Sequence, residues 1–334
     1  MRFLYKVIDH GTAITEAGQA IVFSIVVISI AIGCWNNKYF IHIATTISII
    51  ASMCIILQYL SYYIFNKHIQ MVPTSLLLDR SSQWILAAKT GRASITGRAT
   101  RFYRPSAFFL EPSHMFIYMF MPLVLLMFSP DFGERERRYS ILISIGMIFS
   151  TSGMGILTTI GLWLLFFGKK KNNNRKFSIS KLLQPKSLLL LIAFLVGLLI
   201  LCFEVPFFQN SIIRIFGSSR DYTNAIAGRV ESGNKLIRGL SGMDFLFGVS
   251  DSLSGITYNM SGFNATMYQY GILGTIISYM FYVIGLCKLR NQYFWICTII
   301  IILSFFSAHT HSTFFMIYST FVIVEGYRES SIIQ

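Results

Sequence analysis

Apolar runs long enough to cross a ~30 Å hydrocarbon core, which takes ~20 helical residues, recur along the whole chain. They are Ala17–Trp35, Tyr39–Phe65, His114–Ser129, Ser187–Phe203, Asn264–Cys287 and Tyr293–Ala308. As one helix, Tyr139–Gly168 would be about 45 Å long at ~1.5 Å per residue, too long for one crossing and short for two. Its middle, Ser150-Thr-Ser-Gly153-Met-Gly155, is the natural break, so two short or re-entrant helices are predicted. Ser312–Tyr327 reads as a short final span. The expected fold is all-α, a single polytopic membrane domain over 1–334 with about nine segments of membrane-crossing type.

Composition narrows the class further. With 54% apolar and 13% charged residues, the chain lies far from a soluble globular domain, in which about 25% would be charged. Apolar runs throughout leave no room for a cleaved signal followed by a soluble body. The net charge of +14 resides in loops between spans and no nucleic-acid module is present, so positive-inside orientation and anionic lipid ligands account for it. Cys34, Cys54, Cys202, Cys287 and Cys297 fall within or at the ends of apolar segments without metal-ligand spacing, and read as small core residues.

Orientation follows from Lys and Arg in short loops. Lys169, Lys170, Lys171, Arg175 and Lys176 mark 169–186 as cytoplasmic, and Arg135, Arg137 and Arg138 mark 130–138. The two long loops, 66–112 and 204–262, then face outward. Both carry arginines, Arg80, Arg92, Arg98, Arg101 and Arg104 in the first and Arg214, Arg220, Arg229 and Arg238 in the second. An anionic ligand at the outer face is the simplest reason to keep cations there. The same count puts the N-terminus outside despite Arg2 and Lys6, so either the first span is misread or, the reading we favour, upstream spans are missing from this chain.

Few residues stand where they could do chemistry. The string Arg104-Pro-Ser-Ala-Phe-Phe-Leu-Glu111-Pro112-Ser113-His114 directly precedes a span, and an ionisable group beside a bilayer is costly unless paired, hydrated or used. Pro112 suits the first position of a helix, which sets Glu111 at or just before its cap. The positive helix end favours negative charge there and offers a docking point for phosphate oxygens. Arg104 either reaches that point as a bidentate phosphate ligand or forms a salt bridge with Glu111 that orders the loop. Within the second loop, Ala225–Leu240 scans as an amphipathic helix with Ile226, Val230, Ile237 and Leu240 on one face and Glu231, Lys235 and Arg238 opposite. Arg229 flanks the apolar face and either enters a site or snorkels to headgroups, whereas Arg238 is a solvated charge. His114, His309 and His311 are candidate acids or bases near neutral pH, with a purely structural break as the alternative for the last two. No Walker-type phosphate loop, dinucleotide turn or cluster of metal ligands is visible.

The string from Arg104 to His114 resembles the outer-face motif preceding a membrane helix in bacterial O-antigen and capsular polysaccharide polymerases, the Wzy family. The order that follows is similar too: a helix pair around Ser150-Thr-Ser-Gly-Met-Gly, a basic cytoplasmic turn, an outer loop with Arg229 ahead of Gly248-Val249, and Asn264 to Gly274 opening the next span. The likeness covers roughly Ile95 to Tyr327. It implies polymerisation of undecaprenyl-pyrophosphate-linked oligosaccharide repeats at the outer face of the bacterial cytoplasmic membrane, with no nucleotide sugar, metal or other cofactor. It further implies that Arg229 and Arg104 hold the pyrophosphate, and the loop arginines Arg101, Arg214 and Arg220 are further candidates to bind pyrophosphate or sugar. Glu111 would orient or deprotonate the acceptor hydroxyl, and His114 and His309, from their own positions in the chain, complete the candidate catalytic residues. A chain-length regulator and a flippase of the same pathway are the implied partners besides membrane lipid. Two departures are plain: Ser150-Thr151-Ser152-Gly153 lacks the arginine that many relatives carry at the break, and the N-terminal part is shorter than in most.

Two other functions fit parts of this pattern. An O-antigen ligase would share fold and donor but use another acceptor, and the Glu-Pro-Ser-His string favours the polymerase. A flippase or transporter would need a continuous polar path, whereas ionisable residues within spans are scarce, with His42 and Glu325 near ends.

Overall fold

The computed structural model describes residues 24–26, 28–30, 32–71, 103–109, 111–129, 134–150, 152–170, 173–177, 225–249, 260–289, 291–307, 310 and 313–332. Its helices are α1 (Asn37–Phe65), α2 (Pro112–Phe128), α3 (Glu134–Phe149), α4 (Gly153–Gly168), α5 (Ala225–Arg238), α6 (Met243–Phe247), α7 (Gly262–Lys288), α8 (Asn291–Phe306) and α9 (Thr313–Ile332). The architecture is helical as expected, with corrections confined to single segments. In the basic loop 169–186 two short antiparallel strands pair, β1 (Lys169–Lys170) and β2 (Asn173–Phe177). Among the described residues, α1 and α7 are long and apolar enough to cross a membrane, and α2, α4 and α8 contain shorter apolar helices. The expected span Ser187–Phe203 and the first residues of Ala17–Trp35 lie outside the described residues.

The chain divides into two compact units, Met1–His42 with Ile226–Gln334, and Ile43–Ala225. In the second unit, α2 is apolar on every side and every residue from Met115 to Phe128 is buried, as such a helix must be in any protein body. It packs against α3 and α4. The predicted break between those two occurs where expected, and its chemistry is local. Ser150 Oγ donates to Met147 O at 2.7 Å to close α3, and Ser152 Oγ accepts Gly155 N–H at 3.4 Å to open α4, the usual work of a hydroxyl at an N-cap. Helix α1 begins in the same way, Asn36 Oδ1 accepting Tyr39 N–H at 3.0 Å. Ala44, Ser48, Ala51 and Ser52 are buried while Ile43, Ile50, Met53, Leu57 and Ile64 are exposed. Apart from Ile41 and Ile55, which are buried as well, small residues point inward and large apolar ones outward, the reverse of a soluble helix and a match to packing within lipid. Gly146 of α3 meets this small face so closely that a Cβ would collide with Ser52.

A second correction concerns 130–138, expected as a loop. Arg135, Arg137 and Arg138 lie in the first turns of α3. Glu and Arg are good helix formers, and Arg137 Nη2 reaches back to Ser129 O at 3.5 Å, near the end of α2.

In the first unit, α7 packs against α6, α8 and α9. Polar side chains tie the helices: Tyr282 Oη to Ser319 Oγ at 2.9 Å, and Tyr293 Oη donating to Glu329 Oε1 at 2.9 Å. Phe40 stacks on Phe321 with centroids 4.1 Å apart. The final helix runs to Ile332, past the expected end at Tyr327, because its charges are accommodated. Glu325 and Arg328 pair at 3.8 Å, and Arg328 Nη2 also donates to Ile30 O at 3.3 Å.

Helix α7 covers the expected span Asn264–Cys287 and is broken within it. Gly271 has φ +67° and ψ −171°, which breaks the helix into two pieces. Tyr268 O instead accepts the N–H of Val249 at 2.8 Å. Gly248, itself at φ +78°, lies so close that a Cβ on it would strike the backbone of Gln269 and Gly271, and a Cβ on Gly271 would strike Leu246 and Gly248. Only glycine permits this backbone-on-backbone approach at positive φ.

Candidate functional site

Helix α2 starts as its sequence demands: Pro112 occupies the first turn and Glu111 is the N-cap, with extended φ −140° and ψ 149°. Pro112 has no N–H, and the next N–H groups have no intrahelical acceptor by helix geometry. The Glu111 side chain makes no capping bond to them. Its Oε2 accepts the Ser113 hydroxyl at 2.9 Å, and its charge acts on the imidazole of His114. A carboxylate, a hydroxyl and an imidazole are therefore gathered on one helix turn, all half-buried.

The segment before Glu111 is built as a rigid turn. Phe109 N–H donates to Ser106 O at 2.9 Å, and Ser106 Oγ donates to Phe109 O at 2.7 Å. Ala107 adopts φ +52°, a conformation L-residues avoid. It is held by Gln58 of α1, whose Oε1 accepts Ala107 N–H at 2.9 Å and whose Nε2 donates to Ile69 O at 3.0 Å. Phe109 rests on Tyr118 of α2 with centroids 5.5 Å apart. Tyr103 is buried and stacks on Tyr62 at 4.3 Å. Its hydroxyl meets His68 Nδ1 at 3.0 Å. Burial and then the neighbouring Tyr62 push the Tyr103 phenol well above its ordinary range, so it stays neutral and available to donate. Arg104 follows directly, half-buried, its Nε enclosed without an acceptor while the residue is engaged elsewhere. Its neighbours Tyr103 and Pro105 are both buried.

In the other unit, α5 docks on the start of α7. Ser261 caps α7 by accepting Asn264 N–H at 3.3 Å. Asn264 Nδ2 is 3.3 Å from Val230 O and 3.4 Å from Asn234 Oδ1. Gly233 is pressed against Asn264, leaving no room for a Cβ. Leu236, Leu240 and Val249 pack on the cluster Met260, Ala265 and Tyr268. Arg229 lies on α5 one turn before Gly233, and the side chains of that first turn are outside the described residues. Arg238 is exposed, as are Glu231 and Lys235, which pair at 3.5 Å.

The structure thus brings Glu111, Ser113 and His114 together and orders Arg104 nearby in the chain. Arg229 belongs to the other unit, whereas Arg101, Arg214, Arg220, His309 and His311 lie outside the described residues. Among the described residues, no three His, Cys, Asp or Glu side chains come close enough to hold a metal ion. Gln58, His68 and Tyr103 were not singled out from the sequence. Gln58 carried a signal, being the one carboxamide in the apolar run Tyr39–Phe65.

No protein-family model matches the chain, and neither a curated protein nor a solved structure is found similar to it.

Proposed function

We propose that this protein is a membrane glycosyltransferase that polymerises undecaprenyl-pyrophosphate-linked oligosaccharide repeats at the outer face of the bacterial cytoplasmic membrane. The observation carrying the reading is Glu111, set at the cap of α2 with the Ser113 hydroxyl on its carboxylate and His114 beside it. It stands in a string that resembles the Wzy motif and follows a turn locked by Gln58. The exposed apolar faces of α1 and α7 support immersion in lipid, and the Lys and Arg bias supports an outward α2 start in a bundle of about nine segments.

In this reaction the acceptor hydroxyl oxygen of the incoming lipid-linked repeat attacks the anomeric carbon of the growing chain. The new C–O bond forms as the bond from that carbon to the pyrophosphate oxygen breaks. The hydroxyl proton passes to Glu111, and undecaprenyl pyrophosphate leaves with the electron pair. Arg104 stabilises the charge that develops on the leaving group, a role that the resemblance alone also gives to Arg229. Ser113 aims the carboxylate by donating its hydroxyl to Oε2.

The test is purified protein in vesicles with its lipid-linked repeat as the sole substrate. A size ladder that vanishes in Glu111→Gln supports the polymerase. Products that form only when a different acceptor is added would make the chain a ligase, and a ladder unchanged in Glu111→Gln would remove that residue from the chemistry.

A further inference from the structure

We propose that the short helix α6, Met243–Phe247, is an interfacial element whose partner is the bilayer itself, inserted at the boundary between headgroups and acyl chains. This rests on the reading of α7 as a membrane-crossing helix. No residue of α6 is buried. Met243 is 62% exposed and Phe247 53%, with Phe245 and Leu246 exposed beside them. Four large apolar side chains presented together by one short helix are not a surface that water tolerates well.

What identifies the occupant is continuity. The backbones of Gly248 and Gly271 touch, and Val249 N–H is bonded to Tyr268 O, so α6 is fastened to α7 at its kink. From that point the exposed side chains Tyr270, Leu273, Ile277, Met280 and Ile284 run down α7 at helical spacing. The apolar surface of α6 is the upper end of this stripe. The part of α7 beyond the kink, Gly271 to Lys288, is about 27 Å long at ~1.5 Å per residue, close to the ~30 Å thickness of a hydrocarbon core. The kink therefore falls at the membrane boundary, and α6 lies at that level with Tyr270, where aromatic residues gather in membrane proteins. The preceding helix α5 exposes Lys235 and Arg238, cations suited to lipid phosphates. Apolar side chains next to exposed cations are the pattern of a segment lying in the interface plane.

The experiment replaces one residue at a time with the photoreactive p-benzoylphenylalanine in the full chain, reconstituted in vesicles of phosphatidylethanolamine and phosphatidylglycerol. The positions are Phe247 and Met243 on α6, Ile277 in the middle of α7, and Lys235 on the exposed face of α5. After illumination, phospholipid adducts are expected at 247 and 243 in yield comparable to 277, with a weaker adduct at 235, which faces headgroups and not acyl chains. Adducts at 277 combined with none at 247 and 243, or with protein cross-links there instead, would overturn the interfacial role while leaving α7 in the membrane. Absence of lipid adducts at 277 as well would overturn the membrane reading from which the proposal starts.

Discussion

The side-chain amide of Gln58 brackets the backbone of Ala107, accepting its N–H at 2.9 Å and lying 3.4 Å from its carbonyl oxygen as a donor. The two residues are far apart in sequence, and their contact fixes the turn that leads into Glu111. Gln58→Leu leaves the buried N–H of Ala107 unpaired, so a loss of about 1–3 kcal/mol is expected. It would appear as a lower Tm of the purified protein, with weaker polymer formation. Ala107→Gly should be neutral or stabilising by up to about 1 kcal/mol, because glycine accepts the positive φ that alanine resists. Equal destabilisation by both variants would contradict this account of the turn.

Replacing Ser113 by alanine removes the hydrogen bond to Glu111 Oε2 without adding bulk. A loss worth about 1 kcal/mol, or roughly fivefold in turnover, is expected. Glu111→Gln should cost about a hundredfold or more, the scale of a lost general base. Rates of ladder formation measured side by side check the ranking, and a larger effect from Ser113 would point to the hydroxyl as the acting group.

Gly271→Ala and Gly248→Ala each place a Cβ into facing backbone at positive φ. Strain of about 1–3 kcal/mol is expected at each, relieved by separating α6 from α7. Limited proteolysis should cut faster near 239–249 in both variants, while cleavage near α2 stays unchanged. Unaltered cutting would mean that the glycine contact does not hold α6.

Gly233 and Asn264 form a tight pair. Gly233→Ala alone forces α5 away from α7, and Asn264→Ala alone removes the amide bonds to Val230 and Asn234. In the double variant two of the three atoms that would collide are gone, so its loss should fall short of the sum of the single losses by about 0.5 kcal/mol or more. A double-mutant cycle on Tm or urea midpoint measures this directly.

Tyr103→Phe keeps the stack on Tyr62 but deletes the bond to His68 Nδ1. A cost of about 0.5–1.5 kcal/mol is expected, smaller than that of Gln58→Leu, because only one bond at the edge of the turn is lost. Thermal melts of the two variants in the same detergent give the comparison.

Several features were legible in the chain because they depend on neighbours in sequence. Apolar runs located α1, α2, α7, α8 and α9, Pro112 located the start of α2, and the hydroxyls of Ser150 and Ser152 marked the break before α4. The Ala225 helix was readable from its amphipathic spacing. Local backbone preference and periodicity decide such features before any distant contact forms. The paired strands at Lys169 and Asn173, and the helical start of α3 through its arginines, are not legible in this way, because charge there masks the backbone preference.

Only the tertiary structure decided that Gln58 would pin Ala107, that Tyr103 would meet His68, and that Gly271 would break α7 against Gly248. Each joins residues separated by a long stretch of chain, and in each an atom is satisfied or excluded by a partner that local spacing does not reveal. A glycine at 271 permits a kink but does not require one. The requirement comes from the backbone of Leu246 and Gly248, which occupies the space a continuous, Cβ-bearing helix would need. The identity of Glu111 as a cap was written in the proline that follows it, whereas the Gln58-held turn before it was settled by packing.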